Sequence, residues 1–170
     1  MQVFKNHRLG ETDEMVSVTT SDDNRLASYL MASQAKRTLD IISRRLDPPV
    51  YDNEEFVESV KKLILYNTRA QIRILVFEPK TIVQYGHRLL DLGLNLTSFI
   101  DFRKPNNEFN SFNESLFIAD RTGYIHRNSA ERYEGTLNFN DKRLSKILTD
   151  QFDEMWEKSV QDPNLKRVHL

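Results

Sequence analysis

Apolar positions along the chain alternate between a strand-like and a helix-like spacing. Gln71-Ile-Arg-Ile-Leu-Val-Phe77 is a short, nearly continuous apolar run rich in β-branched side chains. That pattern suits a strand covered by helices on both faces. Thr38-Leu-Asp-Ile-Ile-Ser43 and Leu96-Thr-Ser-Phe-Ile-Asp-Phe102 read the same way. Helical spacing fills the intervals. Leu26, Tyr29, Leu30 and Ser33 follow a cap at Ser21 backed by Asp22 and Asp23, in a helix ending near Lys36. Phe56, Val57, Val60, Leu63 and Ile64 follow a cap at Asp52 or Asn53. Pro79 suits a first helical turn, and Ile82, Val83, Leu89 and Leu90 predict one helix over 81–92, with Gly93 as its stop.

The second half differs. Ser115-Leu-Phe-Ile-Ala-Asp120 and Tyr124-Ile-His-Arg127 flank a turn signal and predict a hairpin, with a further strand over 132–137. Asp141 then caps a long helix with Leu144, Ile147, Leu148, Phe152, Met155 and Trp156 in register. Before these elements, residues 1–15 show no sustained period and read as an extended or loosely docked arm, and Val16–Thr19 as a short edge strand. Pro48 and Pro49 predict a loop. The expected organisation is an N-terminal arm (1–20), a single α/β domain (21–160) and a C-terminal tail (161–170).

Alternating strands and helices followed by a hairpin and a closing helix predict the α/β class: a mixed, mainly parallel sheet between helical layers, with the Gln71 strand central. Right-handed crossovers place the loops after Ser43, Phe77 and Phe102 on one sheet edge. Ligands of open α/β sheets gather at that carboxyl edge, here carrying Arg44, Arg45, Glu78 and Arg103.

Composition narrows the chemistry. The 170 residues carry a net charge of −1, so no overall field draws the chain to polyanions, and any such contact needs a local patch. The absence of cysteine removes disulfides, thiolate metal sites and a cysteine nucleophile, and points to a reducing, cytoplasmic setting. No apolar run approaches the roughly 20 residues of a membrane span. The four histidines, His7, His87, His126 and His169, lack metal-ligand spacing, and no phosphate-binding glycine loop or nucleophile elbow is present, so no metal or cofactor is expected. What remains is a set of polar groups near predicted strand ends and turns: Arg44, Arg45, His87, Arg88, Arg103, Arg127 and Arg132. A guanidinium fork suits phosphate or carboxylate, and convergence of several would form an anion site. Their alternative role is pairing with surface carboxylates. Asp120, before a turn, reads as a turn former, and His87, if buried, as a structural histidine.

Thr38–Ser43, Ala70–Val76, Ser115–Asp120 and the closing Phe152-Asp-Glu-Met-Trp156 together resemble one half of a phospholipase D-type domain, over about residues 25–160. The active half-site of that family reads His-x-Lys-x4-Asp. Aligned on Asp120, this chain has Asn113 in place of the histidine and Ser115 in place of the lysine. An amide cannot form a phosphohistidine and a hydroxyl brings no charge, so the resemblance implies the fold and argues against the activity. Leu46-Asp-Pro48, Gly86-His-Arg-Leu-Leu90 and Ala119-Asp-Arg-Thr-Gly123 are similar to phrases of an uncharacterised bacterial domain, found alone or beside acetyltransferase domains.

The resulting expectation is a non-catalytic module binding an anionic, phosphate-bearing ligand or a protein partner through Arg44, Arg45, His87, Arg88, Arg103, Asn113, Ser115, Asp120, Arg127 and Arg132. A homodimer is implied because the resembled family builds its site from two halves. One alternative is a phosphoester-processing enzyme with His87 or His126 in an open cleft near Asp120 or Glu78. The other is a nucleic-acid accessory protein using Lys61, Lys62 and the arginines.

Overall fold

Strand β2 (Thr38–Ser43) shows how the two helical layers divide the sheet. Leu39 and Ile41 point into one apolar core, and Ile42 into another, because successive side chains of a strand leave by opposite faces. β3 (Gln71–Val76) runs parallel to β2 with Ile41 opposite Ile74 and Ile42 opposite Leu75, so each face continues across the pair. β4 (Ile100–Arg103) extends the parallel part. On the other side of β2 the sheet turns antiparallel through β5 (Ser115–Ala119), β6 (Gly123–Arg127), β7 (Gly135–Asn138) and β1 (Val16–Val18). The seven strands lie in the order β1-β7-β6-β5-β2-β3-β4, in a computed structural model that describes residues 3–166. The mixed α/β class expected from the sequence is observed. The central strand is β5, not the Gln71 strand, because the hairpin, β7 and β1 add four strands beyond β2.

One face is covered by α1 (Ser21–Gln34), α2 (Pro48–Tyr51), α3 (Glu54–Tyr66), α4 (Pro79–Tyr85) and α5 (Arg88–Asn95), whose Met31, Phe56, Val60 and Leu89 are buried with Ile41, Ile74 and Phe117. The other face is covered by α6 (Lys142–Glu157) through Leu148, Phe152 and Met155 against Ile42, Leu75 and Leu116. Within this second layer Asp40 is almost wholly buried and accepts from Arg73 Nε at 2.8 Å, directly across the β2–β3 register. Arg73 also donates to Asp153 of α6 at 2.8 Å and lies over the Phe152 ring. Burial pushes the Asp40 carboxyl above its ordinary value despite this partner.

Several local expectations are corrected. Thr20, not Ser21, caps α1, its hydroxyl accepting from Asp23 N. Asn53 caps α3. The double proline starts the short helix α2 instead of a loop, since each proline occupies a first-turn position where no N–H is required. The single helix predicted over 81–92 is two helices, broken at Gly86 with φ +76°, a left-handed conformation open to glycine. Gly93 is no stop: it lies inside α5, where a Cβ would fall 2.3 Å from the Phe102 ring. The third strand begins at Ile100, and the strand foreseen over 132–137 spans Gly135–Asn138.

The N-terminal arm is firmly docked over its described residues. Phe4 is buried against Phe139, Leu9 N donates to Gln34 Oε1 at 2.7 Å, and Gly10 N donates to the Phe139 carbonyl at 2.9 Å. Past α6 the chain folds back, Val160 bridging Lys104 of the β4 edge and Leu165 buried. No helix among the described residues is long and apolar enough to cross a membrane.

Candidate functional site

Because β2, β3 and β4 are parallel and β5 is antiparallel to β2, one sheet edge gathers the ends of β2 and β6 with the start of β5. A cavity of about 380 Å³ opens there, lined by Ser43, Arg44, Arg45, Asp47, Pro48, Pro49, Ser115, Arg127, Ala130, Glu131 and Tyr133. Ser115 starts β5 and stands across from Arg127 of β6. Three guanidiniums and two carboxylates leave the lining one positive charge in excess.

The arginines are used differently. Arg127 is almost wholly buried, and every nitrogen of its fork is engaged within the protein. Nε donates to the Arg132 carbonyl at 2.8 Å, Nη2 to that of Ala130 at 2.9 Å, and Nη1 to the Asp47 carboxylate. Tyr133 donates its hydroxyl to the same carboxylate at 3.0 Å and lies beneath the Arg127 guanidinium. Asp47 is fixed in turn by its backbone N–H, which donates to Ser43 Oγ. Arg127, Asp47 and Tyr133 thus form a closed, charge-neutral wall.

Arg44 has no such carboxylate partner among the described residues. Its Nε donates to Asn113 Oδ1 at 2.8 Å, and its Nη2 to the carbonyls of Asn110 and Phe112, both at 2.9 Å. The Phe77 ring backs it at 4.7 Å. These contacts pin the guanidinium and the 110–113 loop together while leaving the cation with neutral partners. Asn113 completes the arrangement by donating from Nδ2 to Glu131 at 3.0 Å. This bond, with a second from Ser129, holds the Glu131 carboxyl below its ordinary value. Arg45 reaches the cleft from an exposed position, its Nε shared between both Glu78 oxygens at 3.3 Å.

Of the residues singled out in the sequence, Arg44, Arg45, Asn113, Ser115 and Arg127 converge here. The others do not. Arg103 lies at the end of β4, paired with Asp101 and packed over Trp156 at 4.4 Å. Arg132 is exposed and contributes its carbonyl to Arg127. Arg88 pairs with Asp52. His87 is a buried helix cap: Nδ1 accepts from Leu89 N at 3.1 Å, so the proton is on Nε2, which donates to the Leu46 carbonyl at 2.8 Å. Burial depresses its basicity. Asp120 stands at the opposite sheet edge, with φ +53°, and accepts from the N–H groups of Lys36, Arg37 and Thr38 at 2.8, 2.8 and 3.0 Å. His126 bonds Glu114. Neither His87 nor His126 meets Asp120 or Glu78 in an open cleft, the condition set for the enzymatic alternative. Lys61 and Lys62 lie on the exposed side of α3 and line no part of this cleft.

Sequence reasoning missed Asp47, Tyr133 and Glu131. Asp47 carried one signal, its place in the Leu46-Asp-Pro48 phrase. No local pattern marks Glu131 or Tyr133, which belong to an irregular stretch after β6 and matter through long-range contacts.

The family model described as Domain of unknown function (DUF7931) matches residues 20–168. No curated protein matches the sequence. Among solved structures, TrmBL2, an archaeal chromatin protein with a novel mode of DNA binding, superposes with a TM-score of 0.64 at 15% identity, over 85% of this chain and 52% of that one. Nuc from Salmonella typhimurium, a phospholipase D family member, gives 0.56 at 11% identity, over 86% and 97%. NucT from Helicobacter pylori gives 0.56 at 11%, over 88% and 100%. At such identities the likeness concerns the fold, which is phospholipase D-like. The chain spans about half of the archaeal protein.

Proposed function

The chain belongs to the DUF7931 family, and from that premise and the cleft geometry we propose a non-catalytic module that binds an anionic, phosphate-bearing group at the head of β5. The observation that carries this reading is Arg44: a guanidinium lining a cleft, held rigid by Asn113 and two carbonyls and bonded to no carboxylate among the described residues, with the fully exposed Glu131 reached only through Asn113. A rigid, preoriented guanidinium gives up little side-chain entropy on meeting an anion, and a charge-assisted bond to a phosphate oxygen is stronger than one between neutral groups. Its Nη1 takes no part in the bonds that pin the side chain and is the donor left for the ligand. Ser115, Ser43 and Arg45 supply further donors around the same space, while Pro48, Pro49 and Tyr133 form a less polar wall able to face an organic substituent.

The non-catalytic part rests on the same residues. Asn113 and Ser115 occupy the head of β5, where the resembled half-site carries its histidine and lysine. Asn113 turns its amide oxygen to Arg44 and its amide nitrogen to Glu131, so it offers no lone pair for attack on phosphorus. The cleft can hold a phosphate, but the two groups that would move electrons and protons are replaced by neutral donors.

Calorimetric titration with inorganic phosphate and with a phosphate monoester tests the reading. The intact chain should bind with Kd on the order of 1 mM or tighter. Arg44→Ala should weaken binding at least about tenfold, the loss of one charged contact, and Arg88→Ala, outside the cleft, should change nothing. Equal affinity in wild type and Arg44→Ala would overturn the assignment. Release of nitrophenolate from bis(p-nitrophenyl) phosphate, abolished by Ser115→Ala, would overturn the non-catalytic part. A nucleic-acid backbone is one carrier of the same group, suggested by the likeness to a DNA-binding protein. If it is the ligand, affinity for single- or double-stranded DNA must fall steeply with salt and depend on Arg44.

A further inference from the structure

A larger cavity lies elsewhere, about 830 Å³ between α1 and α3 on the outer face of the first helical layer. Tyr29, Ala32, Leu63 and Tyr66 line it, and at its end Leu65 and Tyr66 are 72% and 96% exposed, an apolar pair that folding leaves uncovered. The two helices run side by side in one direction: both lead into parallel strands, and Asn67 Nδ2 donates to the Lys36 carbonyl at 2.8 Å, setting Lys36 level with the end of α3. Charge along the rim is therefore ordered. Glu54, Glu55 and Glu58 stand at the start of α3, and Lys62 and Lys36 towards its end. All five are exposed, and none is ion-paired among the described residues.

We infer that this face docks a second copy of the chain, antiparallel, about a twofold axis level with Val60. Such an axis is isologous, so each contact is made twice. Glu58 and Lys62 are equidistant from Val60 along α3, and so, closely, are Glu54 and the level of Lys36. One axis therefore sets Glu58 against the partner's Lys62 and Glu54 against the partner's Lys36, with the Tyr66 and Leu63 surfaces covered between them. A parallel arrangement would bring carboxylate onto carboxylate. The order of charge along the groove selects its own reverse. The inference does not rest on the anion reading, but bears on it: antiparallel docking sends the two clefts to opposite ends of the dimer, so each is complete within one chain.

Sedimentation of the full chain over a range of concentrations tests this. The expected result is a monomer–dimer equilibrium with Kd on the order of 10 µM, as suits a patch smaller than a standard interface, weakened by salt. Glu58→Lys and Lys62→Glu should each raise Kd at least about tenfold, and the double reversal should recover wild-type affinity to within about threefold. Circular dichroism confirms that each variant is folded. A chain monomeric at every concentration overturns the inference. So does a double reversal that stays monomeric, or a dimer indifferent to these changes and abolished by Arg45→Glu in the cleft.

Discussion

At one end of β5 the Asp120 carboxylate is fully occupied by three backbone N–H groups of the segment entering β2; at the other, Arg44 stands among neutral partners with charge to spare. These two ends correspond to the two halves of one short motif in the resembled family. Asp120 has a structural task in this chain, because it ties the β5–β6 turn to the start of the neighbouring strand. Asn113 and Ser115 belong to the other end, Asn113 bonded to Arg44 and Glu131 and Ser115 lining the cleft. Residues bonded for the fold and residues facing the cleft thus sit at opposite ends of a single strand.

The comparison is tested most severely at Arg127, which sits at the cleft end yet is bonded like a structural residue. Arg127→Met removes the charge and leaves Asp47 without its partner, a loss of about 3–5 kcal/mol for a broken buried pair. Denaturant unfolding measures it. If stability is unchanged and phosphate affinity collapses, Arg127 is a ligand group and the division between closed wall and open fork fails. Next in size is Asp120→Ala. Three N–H groups lose a charged acceptor but remain accessible to water, so the cost should be about 2 kcal/mol, with Asp120→Asn recovering part of it. Phosphate affinity should not move, since the site lies at the far edge.

The same division explains what could be read from the sequence. β2, β3, the hairpin and α6 were legible because strand alternation, turn residues and helical spacing are local signals, and burial of their apolar faces agrees with them. The 81–92 helix was misread because one glycine with positive φ interrupts an otherwise unbroken apolar pattern. The docking of residues 3–15 depends on Phe139, Gln34 and Asn138, all distant in sequence, and no period within the arm announces it. The cleft was half legible. Arg44, Arg45, Asn113, Ser115 and Arg127 lie at the ends of predictable strands, whereas Asp47, Glu131 and Tyr133 enter through loops. Arg103 and Arg132 were drawn in by proximity to strand ends, which fixes a backbone position but not the partner a long side chain will choose.

A milder test uses His87, at the border of the cleft loop through its bond to Leu46. Its folded basicity is depressed below 6.5, so the unfolded chain takes up more protons as pH falls through and below that value. The neutral cap is therefore worth most above pH 6.5 and is lost as pH drops through the depressed folded value. Unfolding free energies of wild type and His87→Gln should converge as pH is lowered into that range. Parallel curves would mean that His87 is not held neutral by burial.

The smallest expected effect is the sharpest probe of the head of β5. Glu131 is fully solvated, yet its carboxyl is held below 4.5 by the Asn113 amide first and the Ser129 hydroxyl second. A depressed carboxyl adds stability above its unfolded value and loses it as pH falls through the folded one, but solvent screening makes that contribution minor here. Asn113→Ala should return the Glu131 titration towards 4.5, followed by carbon-detected NMR. The same change removes the Oδ1 that orients Arg44 Nε, so phosphate affinity should fall by less than in Arg44→Ala, because the carbonyls of Asn110 and Phe112 still hold the fork. Should the Glu131 titration shift while affinity stays unchanged, Asn113 serves the loop alone, and the cation is preoriented by backbone carbonyls without help from the position where the resembled half-site keeps its nucleophile.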